Sequence, residues 1–148
     1  MDELTHIDNK GKAVMVDIGP KEIQLRSAKA SGHIRLAPET LKKIEDNLLN
    51  KGDVLTVAQL AGISAAKKTA DLIPLCHNIQ LDHIRVDLKQ DESGISVETE
   101  VRCTQRTGAE MEALTAASIA LLTVYDMCKA VDRMMVIDKI LLSEKTKL

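Results

Sequence analysis

Asp126 and Lys129, three residues apart, close the most apolar stretch of this chain. On a helix that spacing places both on one face, where they can pair, or act as base and acid on a single substrate. A salt bridge that complements the helix dipole explains the same two residues without any chemistry. Glu112 stands fourteen residues before Asp126, with Glu110 close by, in what would be the first helical turn. Carboxylates are favoured there by the dipole alone. Fourteen residues return to nearly the same helical face but separate the two ends by about 21 Å, so one small substrate cannot touch both within a chain. If both carboxylates serve one site, a symmetric dimer whose sites draw on two chains is the natural solution.

A second constellation lies in Leu72-Ile73-Pro74-Leu75-Cys76-His77, an apolar loop that ends in a thiol and an imidazole. A Cys-His pair could mean a metal or a thiolate nucleophile, but adjacent side chains usually diverge and no further Cys or His sits at ligand spacing, so a metal site is not expected; a histidine that donates or carries a proton, or one that is merely packed, fits equally well. His6, His33 and His83 read as ordinary histidines. Lys51, Lys67, Lys68 and Arg26 form the cationic inventory near these loops and suit phosphate oxygens. No Walker loop, GxGxxG or HExxH occurs.

These groups need elements to hold them. Residues 13–18 alternate as a short strand ended by Gly19-Pro20, and a second strand over 22–36 puts Arg26, Ala28, Ala30, Gly32, Ile34 and Leu36 on one face. That face carries one arginine and then room for something to approach, unless a bulge near Arg26 switches faces. Pro38 and the spacing of Leu41, Ile44 and Leu48 predict a helix over 38–50, ended by Lys51-Gly52. Asp53 is placed to N-cap a second helix over 54–70. Alternation on either side of Asp91-Glu92-Ser93-Gly94 predicts a hairpin. A long helix over about 109–131 and a closing strand over 135–143 complete the pattern. This order suits an α+β fold, a ferredoxin-like two-layer sandwich with a mostly antiparallel sheet and helices on one face. From Ala113 to Tyr125 the long helix has no charge to offer water, which predicts burial nearly all round and a second subunit against its free side.

The chain has 148 residues, suited to one domain, and its core must be built without Phe or Trp and with one Tyr. Twenty Lys plus Arg against twenty-two Asp plus Glu, with no basic tract and no aromatic platform, argue against general nucleic-acid binding. Three cysteines without CxxC spacing read as reduced cytoplasmic thiols, and a thirteen-residue uncharged run falls short of the roughly 20 residues a membrane span requires.

Several segments resemble one family. Leu4-Thr5-His6-Ile7-Asp8, Met15-Val16-Asp17-Ile18, Lys51-Gly52-Asp53-Val54-Leu55, Ala65-Ala66-Lys67-Lys68-Thr69, Leu72 to His77, Gly108 to Thr115 and Thr123 to Ala130 are similar to the cyclic pyranopterin monophosphate synthases of molybdenum cofactor biosynthesis. The resemblance runs over about residues 4–145, and its last two motifs are long and specific. It implies a phosphorus-oxygen lyase that converts 3′,8-cyclo-7,8-dihydroguanosine 5′-triphosphate to cyclic pyranopterin monophosphate and releases diphosphate. It also implies a cytoplasmic homohexamer, a trimer of dimers with sites at the dimer interface, needing no cofactor. By motif, Asp126 and Lys129 stand where the family has its catalytic aspartate and lysine. Leu75, Cys76 and His77 match one substrate-binding segment and Met111 and Glu112 another. Lys51 and Glu110 align with further active-site groups, and Arg26 and Lys67 are added as substrate-binding candidates. The family's chains usually continue past the last strand into a glycine-rich tail, where this sequence reads Glu144-Lys145-Thr146-Lys147-Leu148.

Overall fold

The structure is a computed structural model that describes residues 3–47, 49 and 53–148. Lys51 lies outside the described residues. In chain order the elements are β1 (Gln24–Arg35), α1 (Pro38–Glu45), α2 (Val54–Lys67), α3 (Thr69–Leu72), β2 (His83–Gln90), β3 (Gly94–Gln105), α4 (Glu110–Cys128) and β4 (Val136–Lys147). The four strands form one antiparallel sheet in the order β2-β3-β1-β4, with α2 and α4 packed side by side on one face. Sheet and strand order are those of the expected α+β ferredoxin-like sandwich.

The alternation in β1 works as read. Ala28, Ala30, Gly32 and Ile34 are buried while their odd-numbered neighbours are half-buried or exposed. What approaches this small-residue face is α4. A Cβ on Gly32 would come within 2.9 Å of the Leu121 side chain and within 2.8 Å of the Lys139 carbonyl, so the strand and helix meet closer than any larger residue permits. Gly62 of α2 does the same against α4, where a Cβ would lie 3.0 Å from the Ala116 carbonyl. The core is therefore a close stack of small residues around fully buried Ile34, Ile95 and Leu121. Each of those three contributes about 1.5–3 kcal/mol by leaving water.

Four sequence expectations need correction. Residues 13–18 form no strand: the segment makes one isolated bridge, Ile7 with Ala13, because no neighbouring strand lies alongside to complete a ladder. The helix begun at Pro38 stops at Glu45, short of Asn50, where Asn47 takes a left-handed φ of 53° that asparagine tolerates. The helix over 54–70 breaks at Lys68, where the Thr69 hydroxyl donates to the carbonyls of Ala65 and Ala66, both at 3.1 Å, and α3 then starts. The closing strand runs to Lys147 instead of Ser143 because it pairs along β1 as far as Arg26. The irregularities in sheet pairing fall between β1 and β4, opposite Lys29/Ala30 and His33/Ile34, not near Arg26. Asp53 does cap α2, accepting from the Thr56 amide at 3.2 Å, and Asp91 organises the β2–β3 turn by accepting from the amides of Ser93 and Gly94.

Burial of α4 is one-sided. Glu112, Ala113, Ala116, Ala117, Ala120, Leu121 and Val124 face the sheet and α2, whereas Met111, Leu122, Tyr125, Asp126 and Lys129 form an open stripe, with Leu122 53% exposed. Expected burial nearly all round is thus not met within one chain. By length and composition alone α4 could cross a membrane, but it serves here as the packed core helix of the sandwich.

At the far end of α4, Asp132 is 5% exposed and accepts from the Ala37 amide (2.8 Å), the Thr40 hydroxyl (2.9 Å) and the Met134 amide (3.0 Å). Ala37 has no side chain that can cap α1, so this aspartate caps it from across the fold. Burial pushes its carboxyl up, but those three hydrogen bonds outweigh burial and leave it below the ordinary aspartate value.

Candidate active site

The first turn of α4 and the loop after α3 enclose a cavity of about 520 Å³. Pro74, Leu75 and Met111 give it apolar walls, while Cys76, His77, Glu110 and Glu112 supply polar groups, and His6 completes the wall from the N-terminal segment. The loop reaches this position because α3 ends at Leu72 and a turn closes with the Cys76 amide donating to the Ile73 carbonyl at 3.1 Å.

Glu112 is 3% exposed at the cavity floor, and burial raises its carboxyl above the ordinary glutamate range, with Glu110 adding in the same direction. The Cys76 thiol points at it, 3.8 Å from Oε1. That thiol is pushed up to about 11, first by burial and then by the negative charge of Glu112. It is therefore a weak donor, not a thiolate nucleophile. His77 Nε2 lies 2.6 Å from the Val16 carbonyl oxygen. A carbonyl can only accept, so Nε2 carries the proton, and Nδ1 of the neutral ring is left as an acceptor. The site thus combines a carboxyl that holds its proton more tightly than an ordinary glutamate with an imidazole whose tautomer is set.

Beside this cavity, and sharing Gly108 and Glu110 with it, lies an open trough of about 770 Å³ that holds Lys21, Arg26, Lys145 and Lys147. Glu110 pairs with Lys145 at 3.1 Å on the boundary. The Arg26 guanidinium donates to the carbonyls of Gln105 and Arg106 and to Gln24, which points it along the trough. Cations here and apolar walls next door divide the surface into a part suited to anionic oxygens and a part suited to a ring.

Leu75, Cys76, His77, Glu110, Met111 and Glu112 thus come together, with Arg26 on their flank. Asp126 and Lys129 do not join them. They lie at the opposite end of the unbroken α4, about 21 Å along its axis from Glu112. There Lys129 Nζ is 2.8 Å from Asp126 Oδ1, both side chains more than half exposed, and that pairing raises the lysine above its ordinary value. Lys67 is exposed at the end of α2 and lines neither cavity nor trough. Among the described residues no group of three His, Cys, Asp or Glu is arranged to hold a metal ion.

Sequence reasoning missed His6 and the trough lysines 21, 145 and 147. His6 sits in a polar stretch without periodicity, and the lysines come from a loop and a strand end brought together only by the β1–β4 pairing. Lys145 carried a legible signal, since a lysine on the strand paired with β1 falls opposite Ala28, next to Arg26.

Comparison with known proteins adds an independent line. The MoaC family model matches residues 15–147. A cyclic pyranopterin monophosphate synthase of Chloroflexus aurantiacus is 55% identical over 145 residues, covering 97% of this chain and 89% of its own. Proteins of the same name from Roseiflexus sp. and Parvibaculum lavamentivorans are 51% and 53% identical, covering 99% and 97% of this chain and 94% and 91% of theirs.

Proposed function

This chain belongs to the MoaC family, and we propose that it is a cyclic pyranopterin monophosphate synthase. It would convert 3′,8-cyclo-7,8-dihydroguanosine 5′-triphosphate to cyclic pyranopterin monophosphate and diphosphate, as a lyase of molybdenum cofactor biosynthesis. The observation that carries this reading is the union of one apolar cavity, in which Glu112 and His77 sit at the end of α4, with a cationic trough at its mouth. A ring system fits the first and a triphosphate the second.

Rebuilding a purine-derived ring into a pterin needs ring opening, closure of a cyclic phosphate with loss of diphosphate, and proton transfers, but no net oxidation. Acids, bases and cations suffice for that, so no cofactor is invoked. Glu112, whose proton burial holds more tightly than an ordinary glutamate's, exchanges protons with the substrate, and His77 accepts through Nδ1. Met111, Leu75 and Cys76 shape the ring site, while Arg26 and Lys51 serve the phosphates, and Lys67, which lines neither cavity nor trough of its own chain, would reach them only from a second copy. Asp126 and Lys129 act as the catalytic base and acid, and they reach the substrate from a second copy of the chain. A two-fold arrangement that brings one copy's Asp126 end to the other's Glu112 end would also cover the open stripe of Met111, Leu122 and Tyr125. Three such dimers make the proposed hexamer, a cytoplasmic assembly that engages neither nucleic acid nor membrane.

Turnover tests this directly. Purified protein given the cyclised nucleotide should release diphosphate and form the pterin, and Asp126→Asn and Lys129→Ala should each abolish it. Heat of binding without diphosphate release would identify a nucleotide-binding protein instead, and wild-type rates in either variant would overturn the role assignment.

A further inference from the structure

Residues 3–23 are exposed along almost their whole length and contain no strand or helix, yet they are tied down at defined points. A single carboxylate oxygen, Asp8 Oδ1, accepts from the amides of Lys10 (2.8 Å) and Lys12 (2.9 Å). Gly11 takes φ 75° in the same turn, and the Gly11 amide donates to the Asp8 carbonyl. The turn folds the chain back so that Ile7 bridges Ala13 and the Val14 amide donates to the His6 carbonyl at 3.0 Å. A second tie is the bond from His77 to the Val16 carbonyl.

Between these ties stands His6. Its backbone is held by the Val14 amide, its side chain lines the cavity, and among the described residues its ring has no hydrogen-bond or charge partner. An imidazole with a fixed backbone and an unused ring, on the wall of a cavity that already holds His77, is a preorganised ligand contact. Within the cavity the Cys76 thiol is a weak donor, Nε2 of His77 is taken up by the Val16 carbonyl, and Thr107 is the other neutral polar side chain of the wall, so an oxygen of the sugar-phosphate part of a substrate that enters it meets in His6 an imidazole with no other partner among the described residues. We propose that His6 is a substrate-contacting residue that binds such an oxygen, and that Asp8 is its positioning residue, acting through the turn. This rests on the synthase reading for the identity of the substrate, not for the existence of the contact.

The experiment compares wild type, His6→Ala, Asp8→Ala and Asp8→Asn in steady-state turnover of the cyclised nucleotide, in calorimetric binding of GTP and in thermal melting. Loss of one charge-assisted contact raises KM and the Kd for GTP by roughly tenfold or more in His6→Ala, with kcat less affected. Tm should not move, since the His6 ring has no other partner among the described residues. Asp8→Ala should reproduce that rise in part, and Asp8→Asn, whose amide oxygen can accept the same two N–H bonds, should restore binding. Wild-type KM and Kd in His6→Ala overturn the proposal, as does a rise in both accompanied by a fall in Tm. If wild type binds GTP but does not turn over the cyclised nucleotide, the synthase reading fails instead, and the two Kd values still decide the role of His6.

Discussion

Two inactive variants should rescue one another. Glu112→Gln disables the cavity end of α4 and Asp126→Asn the other end, some 21 Å apart on one rigid helix. No substrate of this size spans that distance, so if both groups are catalytic they belong to different sites within a chain and to one site across two chains. Co-expressing the variants at equal levels lets subunits assort at random. A given site then receives an intact Glu112 from one chain with probability one half and an intact Asp126 from its partner with probability one half. About one quarter of the sites are fully wild type, so the mixed preparation should run at about one quarter of the wild-type rate. The assay is diphosphate release by the co-purified mixture, with each variant purified alone as background. A mixture that stays at background refutes the shared site, and with it the assignment of Glu112 and Asp126 to a single reaction.

Two further outcomes follow from the buried carboxyls. Glu112 has its folded-state value raised by burial, so it takes up protons on folding and stability falls as pH rises. Glu112→Gln should therefore melt higher than wild type near pH 8 and lose that advantage near pH 4, and an equal gap at both would count against it. Asp132 is the opposite case, held below its ordinary value, so its contribution is full above the ordinary carboxylate range and fades as the solution is made acidic. Asp132→Ala strands the Ala37 amide and the Thr40 hydroxyl and should cost about 2–4 kcal/mol in denaturant unfolding at neutral pH. A cost below about 0.5 kcal/mol would mean that water caps α1 equally well.

Much of this was legible in the chain. The period-two burial of β1, the Asp53 cap, the hairpin around Asp91 and the apolar run of α4 are local patterns, and local patterns survive into the fold. What could not be read depended on neighbours. Residues 13–18 alternate like a strand but have no ladder to join, and the Val16 carbonyl that a ladder would have used goes to His77. Thr69 ends α2 by a side-chain bond that helix propensity does not register. Leu75, Cys76, His77, Glu110, Met111 and Glu112 lie in two short motifs of the sequence, and they share a cavity. His6 was passed over because its signal lies in the fold of the Asp8 turn, not in any spacing.

The unbroken course of α4 also limits how this chain can change. Within one chain the exposed Leu122 packs against nothing in the core and its size is not fixed there, but the length of the helix is. One residue inserted between Ala113 and Tyr125 would advance Asp126 and Lys129 by about 1.5 Å and turn them about 100° around the axis relative to Glu112. It would also put the Leu121 position out of step with the groove left by Gly32. Related chains should therefore be free to gain or lose residues in the loops that flank this helix, and keep the count between its two charged ends constant.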